Sequence, residues 1–114
     1  MILKDFLETL KSTPKQIEFS ETMNIIEAHY EYTPTAFKNG TLNNGKDENS
    51  GSCKLFAFAV DQNLTAEEAL ACFGNYYFED VLIHPDGTGH QNIRNFIKTG
   101  FEGLHFETFP LKKK

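Results

Sequence analysis

The segment from Asn49 to Val81 constrains the fold more than any other part of the chain. It begins with small polar residues, continues into the densest apolar run, KLFAFAV, and ends in a helical pattern. The apolar run fits either a strand or a buried helix, and its two alanines favour the helix. Asn63 followed by Leu64 suits a left-handed helix end with an apolar contact. We therefore expect a central helix on which the rest of the chain packs.

A second helix is predicted to start directly after this run. Thr65 and Glu68 have the spacing of a capping box, in which each side chain accepts a hydrogen bond from the other residue's backbone amide. Apolar residues then recur at helical spacing as far as Val81, and the helix should stop before His84-Pro85. Gly74 inside the run predicts a close helix crossing or a slight bend.

Three further helices follow from apolar spacing. The stripe over residues 2–10 predicts an amphipathic helix docked on the core. A short helix is expected at about residues 21–29, with Ser20 as its N-cap, and a last helix from near residues 88–90 to Gly100. The side chains of the last helix that should face inward are Ile93, Phe96 and Ile97.

Extended structure is predicted in two places. Residues 30–40 are aromatic and β-branched, but Pro34 confines them to a sheet edge or an irregular stretch. Residues 104–108 alternate apolar and polar side chains and could pair with them. Between these stretches, residues 41–52 are rich in Asn, Gly and Ser without periodicity, which indicates a functional or mobile loop.

These elements predict an α+β fold: a mainly helical single domain of about five helices with a small two-stranded antiparallel element. The length of 114 residues fits one domain. We place the globular domain at residues 1–111 and expect residues 112–114, all lysine, to form a flexible basic tail.

Charge and cysteine usage limit the partners and the compartment. Eleven basic against sixteen acidic residues give a net charge of -5, which argues against a nucleic-acid or anionic-membrane partner. Cys53 and Cys72 are not in a CxxC spacing, so neither a disulfide framework nor a zinc site is expected. No run approaches the roughly 18 apolar residues of a membrane span, and the start of the chain lacks the order of a secretory signal. We expect a cytoplasmic protein.

Cys53 is the first candidate for chemistry. If Asn49 or Ser50 caps the helix, Cys53 lies in its first turn, where the helix dipole favours a thiolate. His90 could then act as base, with Asn92 orienting it, if folding brings them together. The alternative is a buried, inert thiol.

Arg94 is the second candidate because it is the only arginine among the eleven basic residues. A planar, bidentate donor suits either an internal clamp on a carboxylate or the binding of an anionic ligand. His90, Arg94 and Lys98 share a helix face at i+4 spacing, which is also the pattern of a plain solvated stripe.

The remaining polar motifs point away from metals and cofactors. Residues 84–90 contain two histidines and an aspartate, but their spacing matches no zinc or calcium motif, and a turn explains them. Residues 49–54 form a small-residue loop before a helix and lack the order of a phosphate-binding P-loop. No metal or cofactor is expected. In the aromatic cluster of residues 76–78, at least one ring should be partly exposed and edge a groove.

Four sequence blocks resemble a known family. TPTAFKNG, ENSGSCKLFAFA, ACFGNYY and HQNIRNFIKTGF, in this order, are similar to the HopJ type III effector family over nearly the whole chain. The resemblance implies a small, mainly helical bacterial domain without an established activity or catalytic residues. The family name implies delivery into a host cell.

Three functional hypotheses result. The first is a binding or interaction domain, in which Arg94, His90, Asn92 and Asn49 flank a polar pocket near the 41–52 loop and receive a small anionic ligand or a protein partner. The second is a cysteine hydrolase or transferase that uses Cys53 and His90; it requires the thiol within hydrogen-bond reach of the imidazole. The third is an effector translocated into a host cell.

Overall fold

The computed structural model describes residues 2–114, so Met1, the first residue of the predicted domain, lies outside the described residues. The described chain forms five α-helices, one π-helix and five short strands around one hydrophobic core. The α-helices are α1 (Leu3–Ser12), α2 (Phe19–His29), α3 (Ser50–Asp61), α4 (Ala66–Ala71) and α5 (Gln91–Thr99), and the π-helix is Tyr76–Val81. The strands are β1 (Tyr30–Tyr32), β2 (Phe37–Asn39), β3 (Leu42–Asn44), β4 (Leu104–Phe106) and β5 (Leu111–Lys113).

Helix α3 lies at the centre of the fold. The five consecutive residues 55–59 are all fully buried, as expected for a helix that is apolar all round. Helices α2 and α4 and strand β5 pack around it. The predicted helix end is confirmed, since Asn63 has φ 54° and the Leu64 amide donates to the Ala59 carbonyl at 3.0 Å.

The capping box of α4 is confirmed. The Glu68 amide donates to Thr65 Oγ1 at 3.1 Å, and the Thr65 amide donates to Glu68 Oε1 at 2.9 Å. The prediction of one continuous helix beyond this point is wrong, because α4 ends at Ala71 and a π-helix follows. At Gly74 the backbone has φ +61°, and a Cβ atom there would lie 2.9 Å from the Ile17 carbonyl oxygen. A close crossing at Gly74 therefore divides the two helices.

The boundaries of α2 and α5 differ in detail from the prediction. Helix α2 begins earlier than predicted, at Phe19, where the Glu18 amide donates to Glu21 Oε1 at 3.0 Å, and Ser20 lies inside the helix. Helix α5 ends at Thr99, as the predicted stop at Gly100 requires, and the Phe96 and Phe101 rings on either side of this end pack edge to face at 5.1 Å. Ile97, predicted to face inward, is instead 47% exposed.

The strands form two small antiparallel sheets. Strand β1 pairs with β5, and β2 pairs with both β3 and β4. The α+β class is confirmed, whereas the single two-stranded element is wrong. Lys112 and Lys113 belong to β5, so the predicted flexible tail instead contributes to a sheet.

The segment 41–52 is more ordered than predicted. It contains β3, which forms a hairpin with β2, and its last three residues are the first turn of α3. The hairpin brings the polar side chains of β2 and β3 against α5. No helix within residues 2–114 has the length and apolar character needed to traverse a lipid bilayer.

Candidate functional site

A cavity of about 430 Å³ opens where the first turns of α3 and α5 meet. Asn49, Gly51 and Ser52 line it from the start of α3, and residues 90–93 line it from the start of α5. An aromatic wall closes another side, and Leu42 contributes from the β2–β3 hairpin. The cavity thus joins parts of the chain that are far apart in sequence.

Both helices begin with a residue in the left-handed conformation. The N-cap residues are Asn49, with φ 50° and ψ 46°, and His90, with φ 56° and ψ 50°. An N-cap side chain usually adopts an extended backbone and accepts a hydrogen bond from the first turn. Neither residue does so here, because Asn49 donates to Asn44 and His90 contacts Asp80. The first-turn amides of both helices therefore remain as donors beside the cavity.

Four asparagine side chains form a polar cluster, the asparagine network, that connects these helix starts to the hairpin. Asn44 and Asn92 exchange hydrogen bonds of 3.0 and 3.2 Å through their amides. Asn39 donates to the Asn92 carbonyl at 2.8 Å, and Asn49 donates to Asn44 Oδ1 at 2.7 Å. Asn39, Asn44 and Asn92 are at most 6% exposed, so the network is part of the interior. It fixes the two N-termini relative to each other.

The asparagine network is not fully satisfied. Asn39 is fully buried, and its Oδ1 has no hydrogen-bond partner among the described residues. A buried unpaired acceptor costs about 1–3 kcal/mol. The interior next to the cavity is therefore less stable than an apolar filling of the same space would be.

An aromatic wall faces the polar side of the cavity. Phe19 and Phe73 stack with their ring centroids 6.1 Å apart, and Phe19 meets Tyr76 edge to face at 5.3 Å. Gly51 leaves room for this wall, because a Cβ atom there would lie 3.0 Å from Phe19 Cζ. Tyr76 is 44% exposed and edges the cavity, which agrees with the expectation for the 76–78 cluster. The cavity thus has an aromatic surface as well as polar groups.

The imidazole that lines the cavity belongs to His90. Its Nε2 lies 3.1 Å from Asp80 Oδ2, and its ring centroid lies 5.1 Å from that of Tyr76. Both contacting residues belong to the π-helix. The contact between Asp80 and His90 could not be predicted from the sequence, because it depends on the unusual winding of the π-helix.

Arg94 points away from this cavity. Its guanidinium donates to the backbone carbonyls of Gly89 at 2.6 Å, His84 at 2.9 Å, Pro85 at 3.2 Å and Asp80 at 3.4 Å. It therefore holds the connection between the π-helix and α5. The sequence predicted an internal clamp on a carboxylate, whereas Arg94 binds four backbone carbonyl oxygens instead.

Cys53 is only 1% exposed and does not line the cavity. Burial raises the pKa of its thiol, and the hydrogen bond with Tyr32 and the charge of Lys54 offset only part of that rise. Its hydrogen-bond partner is thus Tyr32, whereas the side-chain contacts of His90 are Asp80 and Tyr76. This arrangement lacks the thiol–imidazole pair that the cysteine-enzyme hypothesis requires.

Of the four ligand-binding candidates, His90, Asn92 and Asn49 line one cavity, and Arg94 lies outside it. Sequence reasoning missed Asn39, Asn44 and Asp80. Within residues 2–114, no three His, Cys, Asp or Glu side chains lie close enough together to hold a metal ion.

Comparison with known proteins gives a family and a structural neighbour. The model of the family described as HopJ type III effector protein matches residues 3–111. A crystal structure described as "unknown function protein VPA0580" is similar to this chain with a TM-score of 0.97 and 54% sequence identity, covering 100% of this chain and 95% of that chain. No curated protein matches the chain.

Proposed function

The chain belongs to the HopJ type III effector family, and we propose that it is a binding domain whose cavity takes a small anionic molecule with an aromatic or apolar body. The observation that carries this proposal is the convergence of two helix N-termini, neither capped by its own side chain, on one cavity. The anionic group would accept hydrogen bonds from the first-turn amides.

Electrostatics support an anion in spite of the net charge of -5. The N-terminus of each helix carries roughly half a positive elementary charge, and the two ends face the same space. The eleven lining residues contain no Asp, Glu, Lys or Arg, and the Asp80 carboxylate beside the cavity is paired with the His90 imidazole at 3.1 Å. The amide dipoles of the two helix starts are therefore the positive groups that face the cavity.

The shape of the cavity supports an aromatic or apolar body for the ligand. Phe19, Phe73 and Tyr76 line the cavity together with the aliphatic residues Leu42 and Ile93. Small-molecule sites are commonly apolar cavities of roughly 300–1,000 Å³ with a few fixed polar groups. The volume of about 430 Å³ suits a ligand of one ring with a short acidic arm.

The proposal is tested with 3-phenylpropionate and its neutral counterpart, 3-phenylpropanamide, followed by the backbone amide signals of the protein in NMR titrations. We expect the carboxylate to bind about tenfold more tightly, because charge-assisted hydrogen bonds contribute about 1.5–3 kcal/mol. The largest shifts should come from residues 50–52 and 91–93. Equal binding of acid and amide, or shifts elsewhere, would contradict the proposal.

A matched pair of variants locates the site. Ser52→Leu places a large side chain in the lining and should weaken 3-phenylpropionate at least about tenfold, whereas Ser50→Leu alters an exposed residue of the same turn outside the lining and should have little effect. Equal weakening in both variants would show that the effect comes from the helix end in general.

The family match favours translocation into a host cell as a second candidate function. In this structure, α1 contributes the buried residues Phe6 and Leu10 to the core, so an N-terminal export signal would become accessible only when α1 leaves the core. The test is a reporter fused to residues 1–30 in a bacterium with an active type III secretion system. Export of the reporter supports translocation, and its retention beside an exported control contradicts an N-terminal signal.

A further inference from the structure

The imidazole of His90 is held from two sides. Asp80 Oδ2 lies 3.1 Å from Nε2, and the ring of Tyr76 lies against it with an interplanar angle of 35°. Because a carboxylate accepts hydrogen bonds and cannot donate them, Nε2 carries a hydrogen in this contact. In the neutral imidazole, Nδ1 is then the nitrogen with a free lone pair.

Two locally unfavourable backbone features meet at this imidazole. Asp80 and Tyr76 belong to the π-helix, a rare conformation that is frequent at functional sites. His90 is itself left-handed, with φ 56°, a conformation that is unfavourable for a residue other than glycine. Strain of this kind persists where the surroundings fix it and is typical of ligand sites.

The position of His90 in the chain limits which groups of a ligand can contact its Nδ1. His90 is the N-cap of α5, so its side chain and the first-turn amides belong to neighbouring residues. If the anionic group of a ligand binds those amides, the ligand atoms next to that group therefore lie beside the imidazole. A carboxylate offers no hydrogen there, but a hydroxyl or amino group on the adjacent carbon does.

We propose that His90, oriented by Asp80 and Tyr76, accepts a hydrogen bond from the ligand, so that the cavity selects aromatic acids with a hydroxyl or amino group beside the carboxylate. This inference rests on the proposed function, since it takes the anion at the helix N-termini as given. It adds the chemical class of the ligand and assigns Asp80 as a positioning residue.

The test compares 3-phenyllactate, each enantiomer separately, with 3-phenylpropionate, from which it differs only by the 2-hydroxyl. By calorimetric or NMR titration, we expect one enantiomer to bind the wild-type protein about tenfold more tightly than 3-phenylpropionate. In Asp80→Asn, the new amide can donate as well as accept, so the imidazole tautomer is no longer fixed and the preference should fall below about threefold. Asp86→Asn, an exposed change in the neighbouring turn, should keep the preference.

The outcomes separate the two proposals. If both acids bind equally to the wild-type protein, the inference fails and the proposed function stands. If neither acid binds, both fail. A preference that persists unchanged in Asp80→Asn overturns the role of the Asp80–His90 pair. Nitrogen-15 NMR of the wild-type His90 side chain gives an independent check, and a hydrogen on Nδ1 in place of Nε2 would also overturn the inference.

Discussion

Asn44 and Asn92 lie 48 positions apart and bind each other through both ends of their side-chain amides, at 3.0 and 3.2 Å. This pair joins strand β3 to the first turn of α5. Asn49, the N-cap of α3, attaches to the same pair through Asn44 Oδ1. The relative position of the two helix N-termini thus depends on one buried asparagine.

Replacing that asparagine should destabilise the protein markedly. Asn44→Ala removes the acceptor of the Asn92 and Asn49 side-chain NH2 groups. Asn92 keeps its bonds from Asn39, but its buried NH2 group is left without an acceptor, so we expect the free energy of unfolding to fall by about 1–3 kcal/mol. Urea unfolding measures this change. The matched control is Asn43→Ala on the same strand, whose exposed side chain should contribute less than about 0.5 kcal/mol. Similar losses in both variants would show that the strand, and not the network, accounts for the effect.

Arg94→Lys is expected to be far from conservative. The guanidinium reaches four carbonyl oxygens between Asp80 and Gly89, and a lysine ammonium cannot match that geometry. We expect a loss of about 1–3 kcal/mol and faster hydrogen exchange in residues 82–90. Lys98→Gln, an exposed change one turn further along α5, serves as the control. Unchanged exchange in Arg94→Lys would contradict the clamp.

Helix positions could largely be predicted from the sequence, because their signals are local. The capping box of Thr65 and Glu68 and the apolar run from Leu55 to Ala59 each lie within one element. The family resemblance, based on four such blocks, is confirmed by the match to residues 3–111.

The strand pairing was not predictable in the same way. Strands of three residues carry almost no periodic signal, and the partner of β1 is β5, about 80 residues away. The three lysines at the end of the chain indicate a solvated tail by composition. Two of them nevertheless lie in β5, because β1 offers a pairing strand that composition does not reveal: Glu31 lies opposite Lys112, and the Lys114 amide donates to the His29 carbonyl at 3.1 Å.

The candidate site, like the fold, could be predicted from the sequence only in part. His90, Asn92 and Asn49 were recognisable as polar residues at predicted helix starts. Asn39 ended the stretch predicted to be extended and Asn44 lay in the predicted loop, and an asparagine followed by glycine is typical of an exposed turn. Only the tertiary fold shows that a turn can carry its flanking asparagines into the interior.

Gly74→Ala tests whether Gly74 is required for the close crossing or only marks a bend in the chain. The left-handed backbone costs an alanine about 1–2 kcal/mol, and the contact of its Cβ with the Ile17 carbonyl, at 2.9 Å, adds about 1–3 kcal/mol. We expect the free energy of unfolding to fall by about 2–5 kcal/mol in thermal or urea unfolding. Gly89→Ala is the control, because its Cβ would meet nothing within 4 Å. A small effect at Gly74 would show that the segment 17–19 can move away.

Cys53 should react slowly and independently of His90. Burial raises the pKa of its thiol, so the thiolate that reacts with iodoacetamide is scarce at neutral pH. In a Cys72→Ala background, we expect alkylation at pH 8 to be at least about 100-fold slower than in the unfolded chain and unchanged by His90→Ala. Fast labelling that slows without His90 would revive the cysteine-enzyme hypothesis.

Tyr30 should limit stability at high pH. Burial, reinforced by the hydrogen bond to Asp61, raises the pKa of Tyr30 from 10.0 to about 12. Since the folded state holds this proton more tightly than the unfolded state, the contribution of Tyr30 to stability is complete below pH 10 and disappears as the pH rises to about 12. The loss attributable to Tyr30 should be on the order of 2 kcal/mol. Urea unfolding at several pH values measures it.

Two variants of the Tyr30 contact make this prediction specific. Tyr30→Phe has no proton to lose at this position, so its free energy of unfolding should fall less between pH 10 and 12 than that of the wild-type protein. Asp61→Asn removes the negative charge beside the phenol, so the part of the absorbance change near 295 nm that is missing in Tyr30→Phe should occur at a lower pH than in the wild type. If the alkaline loss were the same in Tyr30→Phe and wild type, the loss would arise from other groups and the hydrogen bond between Tyr30 and Asp61 would not control it.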